Sequence, residues 1–167
     1  TAAELGPLLD QLLGDLPELL APAARARRIA ADALGFFRDA VFEHHVEEEK
    51  ELFPAVLASA VKGEERDKVQ QLVDALTAEH RRVEATWAKL EPKLKAVAKG
   101  HDTDVDPADI RALVETYQAH ARFEEAVFLP LSQTILGRDS NHMAALGMSM
   151  HMRHAMPQVL QRFSGRL

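Results

Sequence analysis

The sequence predicts an all-α protein, an antiparallel four-helix bundle with an additional C-terminal helix. Ala, Leu, Glu and Val recur throughout, against one Trp and one Tyr, so helix formers abound and strand formers are scarce. Pro and Gly cut the 167 residues into a few runs with apolar residues three and four apart. The connections between runs are short, which favours antiparallel neighbours.

The runs follow in order. Pro7 can start a first short helix, whose Leu8, Leu9, Leu12, Leu13 and Leu16 form one stripe. Pro17 and Pro22 are expected to break the chain before a second run from about Ala23. That run places Leu34, Phe37 and Val41 at helical spacing and reaches Gly63, read as a C-terminal stop. A third run, Glu64 to about Lys99, carries Leu72, Leu76, Val83, Trp87, Leu90 and Leu94 on one face. Gly100 to Asp106 reads as a polar loop, and Asp106-Pro107 as N-cap and first residue of a fourth helix. Gly137 to Asn141 ends that helix, and a fifth, Met-rich one follows over about residues 140–163. The whole, residues 1–167, is expected to be one domain, with its core bundle at about 7–135.

Composition narrows the function. A net charge of −6 argues against nucleic acid as a partner. With no cysteine there is no disulfide, thiolate zinc site, iron–sulfur ligation or thiol catalysis. The Leu-rich first twenty residues contain Glu4, Asp10, Asp15 and Glu18 and no basic stretch, so neither a leader nor a membrane span is expected. The expected setting is the cytoplasm, with no membrane partner. No nucleophile–base triad or phosphate loop is visible.

A short internal echo carries the chemistry. The second run reads His44-His45-Val46-Glu47-Glu48-Glu49-Lys50-Glu51-Leu52-Phe53-Pro54, and the fourth His120-Ala121-Arg122-Phe123-Glu124-Glu125-Ala126-Val127-Phe128-Leu129-Pro130. Aligned on His44 and His120, both have Glu at +4 and +5, an aromatic close behind, and Pro at +10. A His and a Glu four apart share a helix face, and imidazole plus carboxylate suits iron, manganese or zinc. On a wheel of about 100° per residue, Glu48 lies in mid-stripe among Leu34, Phe37, Val41 and Leu52, with His44 and His45 beside it. His120 and Glu124 lie in mid-stripe among Ile110, Leu113, Tyr117 and Phe128. The third run adds His80 on its apolar stripe, with Glu84 towards the edge.

A carboxylate buried alone costs several kcal/mol, so these faces call for a cation, and no Arg or Lys stands on them. The competing reading is a set of satisfied core histidines and solvated glutamates. One spacing repeated in two helices, joined by His80, favours metal.

His44-x-x-x-Glu48 with Leu52-Phe53-Pro54, Glu79-His80-Arg81-Arg82, and His120-x-x-x-Glu124 with Pro130 together resemble the hemerythrin family, the HHE cation-binding domains. The resemblance spans roughly residues 25–131. It implies a four-helix bundle around non-haem iron, two irons or one, with carboxylate bridges. His44, His80 and His120 would be terminal ligands, and Glu48 and Glu124 the carboxylates. Zinc and manganese are the alternative metals. The implied role is binding or sensing O₂, NO, redox state or iron, with a small diatomic or anionic ligand at the metal, rather than catalysis. The chain departs from the family in having no His before His44, and in having Glu84 where some members have a further His. That makes the site poorer in imidazole than an oxygen carrier's.

Glu84, His45 and His154 are further candidates, as metal ligands or as residues backing them; His154 shares a stripe with Met143, Leu146 and Met150. His101 reads as a loop residue, and Glu49 and Glu125 as solvated neighbours unless the helices bulge. Two other functions compete: an interaction bundle with a vestigial or zinc-filled site, and a ferritin-like oxidase. The oxidase fold uses Glu-x-x-His, and no Glu lies three residues before any His here.

Overall fold

Three long helices make up residues 20–138, the part that the computed structural model describes, and no strand occurs among the described residues. Helix α1 covers residues 20–59, α2 runs from Glu64 to Ala98, and α3 covers residues 107–136. The first and fifth predicted helices lie outside the described residues.

The observed boundaries correct the expected ones in two places. Helix α1 is already under way at Leu20, so Pro22 does not interrupt it. A proline's fixed φ suits the early part of a helix, where its missing N–H matters least. Nor is Gly63 the stop of α1, which ends at Ser59 with Ala60 extended. Gly63 instead takes φ 103° and precedes Glu64 as the cap of α2, a conformation that a residue with a Cβ rarely adopts. At the other turn the expectation holds. Asp106 accepts a hydrogen bond from the Ala108 N–H at 2.8 Å, and Pro107 opens α3.

Two apolar clusters fix the helix directions. One joins Leu52, Phe53 and Val56 of α1 to Val69, Val73 and Leu76 of α2 and to Phe128, Leu129, Ile135 and Leu136 of α3. The other joins Phe37 and Val41 to Val83, Trp87 and Leu90 and to Leu113, with Phe37 stacked on Trp87 at 4.3 Å. The end of α1 therefore meets the start of α2 and the end of α3. Helices α1 and α3 run parallel, and α2 runs against both, as in an up-down-up succession. Arg138 reinforces this by bonding Glu65 at 2.7 and 2.8 Å.

Helices α1 and α3 each contain a π turn at the same point of the repeated motif, Glu48–Leu52 and Glu124–Phe128. The Phe53 N–H bonds the Glu48 carbonyl and the Leu129 N–H bonds the Glu124 carbonyl, each five residues back. Pro54 and Pro130 lie two residues beyond the turns. A helical proline clashes with the carbonyl four residues before it; the wider turn moves that carbonyl aside, so the Pro at +10 accounts for both bulges. A third π turn, Phe37–Phe42, precedes the His44-His45 pair.

Leu76 is fully buried in the first cluster, whereas Val114 is 43% exposed. Leu76→Ala should destabilise the chain by about 2–5 kcal/mol, and Val114→Ala by no more than ~0.5 kcal/mol, as denaturant unfolding will register. Equal costs would contradict the packing described.

Candidate metal centre

Between the two apolar clusters lies a polar layer to which all three helices contribute. Helix α1 supplies His44, His45 and Glu48, α2 supplies His80, and α3 supplies His120 and Glu124. His45, Glu48, His80, His120 and Glu124 are all buried, and His44 is partly buried. The five residues expected from the resemblance thus converge, and His45 joins them. Each is placed by helical periodicity against the cluster residues above and below it.

The donors fall into two groups whose ligand atoms lie within 4.8 Å of one another: His45, His80 and His120, and His44, Glu48 and Glu124. The carboxylates lie between the groups. Glu48 Oε1 is 3.4 Å from His44 Nε2, and its Oε2 is 3.3 Å from His80 Nε2. Glu124 Oε2 is 3.7 Å from His44 Nε2 and 4.0 Å from His120 Nε2. Either carboxylate could therefore serve two neighbouring ions, and the pair of groups suits one or two.

Seven buried polar atoms in this layer have no hydrogen-bond partner: both nitrogens of His45, both oxygens of Glu48, Nε2 of His80, Nε2 of His120 and Oε1 of Glu124. A buried polar atom left unsatisfied costs about 1–3 kcal/mol.

The electrostatics agree. Burial first, then the Glu124 carboxyl, pushes Glu48 well above the usual carboxylate range. Burial also pushes Glu124 upward, but the contacts with Glu48 and His44 outweigh it and hold Glu124 low. Burial, then the neighbouring His80 and His120, lowers His45 to about 2. Burial is likewise the main cause that lowers His80. Neutral imidazoles beside an anionic carboxylate are the protonation states in which these groups donate lone pairs to a metal.

Two outer carboxylates complete the layer. Glu49 Oε1 lies 2.8 Å from His80 Nδ1, and Glu79 Oε2 lies 3.0 Å from His120 Nδ1. Glu49 also accepts from Arg81, which grips Glu84 at 2.6 and 2.7 Å. Glu49 is therefore not the solvated neighbour expected of an unbulged helix, and a π turn begins beside it at Glu48. Glu125, its counterpart in the repeat, is exposed although α3 carries the same π turn. Glu79 was not singled out from the sequence; its adjacency to His80 in Glu79-His80 was the only signal. Glu84 stands 4.0 Å from His45 Nδ1 and outside both donor groups. His154 lies outside the described residues. Tyr117, one turn before His120, has its hydroxyl pushed upward by burial and then by Glu124 and Glu48.

A raised carboxyl binds a proton more tightly in the folded chain than in the unfolded one, so Glu48 withdraws stability from the metal-free protein as pH rises above its ordinary value of 4.5. Glu48→Gln should therefore melt a few degrees higher than the unaltered chain at pH 8, with the gain shrinking towards pH 4.5, both measured with chelator. A gain independent of pH would show that the Glu48 charge is not the cause.

Comparison with known proteins identifies the family. The hemerythrin HHE cation binding domain family matches residues 4–132. An uncharacterized protein of Haemophilus influenzae is 26% identical over 140 residues, which cover 80% of this chain and 78% of that protein. No solved structure matches.

Proposed function

This chain belongs to the hemerythrin HHE cation-binding domain family, and from that premise we propose that it is a non-haem iron protein that binds or senses a small ligand. The observation that carries the reading is the convergence of seven unpartnered buried donor atoms from three helices. Iron suits a mixed imidazole and carboxylate set better than metals that select thiolates.

His45, His80 and His120 would hold one ion, and His44, Glu48 and Glu124 a second, with Glu48 and Glu124 shared. When bound, iron supplies redox chemistry and open coordination positions for O₂, NO or a small anion. The chain's own residues do the rest. The three buried histidines offer ring nitrogens to the ion, while the carboxylates offset the ionic charge. The second group has a single nitrogen donor and its His44 is the one ligand with a 14% exposed side chain. That is the position left room for an exogenous ligand. Leu8, Leu9, Leu12, Leu13 and Leu16, outside the described residues, would close the bundle as a fourth helix without coordinating. The setting we propose is the cytoplasm.

Zinc in the same donors is the second reading, since the three-histidine group is also a zinc donor set. Metal analysis of protein from iron-replete cells separates the two: on the order of one to two irons per chain is expected. Iron at a hundredfold excess over its Kd should stabilise the fold by about 3 kcal/mol, and chelation should reverse this. A folded chain that holds zinc alone, or no transition metal, would overturn the iron assignment.

A further inference from the structure

Two rings of the three-histidine group are gripped from outside by carboxylates of neighbouring helices. His80 of α2 meets Glu49 of α1, and His120 of α3 meets Glu79 of α2, both through Nδ1. In each ring the opposite nitrogen, Nε2, is buried without a partner and faces a carboxylate of the layer. A neutral imidazole has one N–H and one lone pair, and an ionised carboxylate can only accept. The outer bond therefore places the N–H on Nδ1 and leaves the lone pair on Nε2, aimed into the layer.

We propose that Glu49 and Glu79 are positioning residues for the metal: they fix the tautomer and tilt of His80 and His120 and strengthen both as donors. This rests on the metal reading above and extends it to residues that touch no metal.

The two carboxylates differ in strength. Glu49 Oε2 also accepts from the Arg81 guanidinium, which takes up part of its charge. Glu79 makes no such ion pair among the described residues, so His120 meets its undivided charge. Glu79 is the stronger of the two. Arg81 also clasps both oxygens of Glu84 and keeps it 4.0 Å from His45 Nδ1, beyond hydrogen-bond reach. His45 is accordingly the one ring of the three that no outer carboxylate holds, and both its nitrogens lack partners. The alternative is that Glu49 and Glu79 only tie helices together as ordinary surface ion pairs.

The full chain, freed of metal and titrated with Co(II) against a chromophoric chelator, distinguishes these. Glu49→Gln and Glu79→Gln keep a carbonyl that can accept from Nδ1 but lose the charge. Glu125→Gln, at the repeat position equivalent to Glu49 yet exposed, is the control. The expected result is Co(II) binding about 10- to 100-fold weaker in the first two, more so for Glu79→Gln, with a shifted Co(II) visible spectrum. Glu125→Gln should bind as the unaltered chain does, and the metal-free melting temperatures of all three should match it. Unchanged affinity in Glu49→Gln and Glu79→Gln overturns the proposal. So does a metal-free melting temperature that falls in step with affinity, the mark of a purely structural tie. An unaltered chain that binds no Co(II) overturns instead the metal reading beneath it.

Discussion

A layer of ionisable groups in the middle of the helix core is the constraint on which the rest of this structure depends. Five buried side chains there present seven atoms that no protein group hydrogen-bonds. At about 1–3 kcal/mol each, their combined cost is comparable to the entire stability of a typical domain, about 5–15 kcal/mol. Protonation offers little relief, because burial and the neighbouring rings resist an imidazolium at His45. A divalent cation accepts imidazole lone pairs and neutralises carboxylates at once. The two apolar clusters on either side hold the layer in register and keep water from it.

The π turns connect sequence to this layer. Each occupies the same place in the repeated motif, two residues ahead of its proline, and each starts at the buried glutamate itself. Such bulges recur at functional sites because they redirect side chains without ending the helix. In α1, Glu48 and Glu49 serve the same histidine from opposite sides, one from within the layer and one from its rim. The corresponding Glu125 of α3 remains at the surface, and His120 takes its outer carboxylate from α2 instead.

How much was legible beforehand follows from the kind of signal each feature leaves. His44, Glu48, His80, His120 and Glu124 could be read because helical periodicity places them among Leu, Val and Phe, where charge is out of place. The all-helical class and the α2 and α3 boundaries were legible from Pro, Gly and the Asp106 cap. His45 could be read only as flanking Glu48 on the stripe, and Glu49 as solvated unless the helix bulged, since an ideal wheel does not tell whether a turn holds an extra residue. The repeated Pro at +10 was the available clue. Glu79 was hidden for another reason: its partner His120 is 41 residues away on another helix, and no local spacing encodes that pairing. Gly63 was assigned to the wrong helix because a glycine at a boundary does not say which side it serves.

The two donor groups are unequal. One is three buried imidazoles; the other combines a single imidazole with two carboxylates and reaches towards the surface at His44. That inequality, rather than the metal count alone, is what would let one position hold the ion while the other meets a ligand. Iron seated in this layer is what the proposed function requires of both donor groups. An iron-edge X-ray absorption spectrum of the iron-loaded chain tests this most directly. It should show a shell of nitrogen and oxygen with the scattering pattern of several imidazoles, and that pattern should weaken in His80→Ala. An iron shell of oxygen alone, or one indifferent to His80, would place the metal elsewhere and contradict the account.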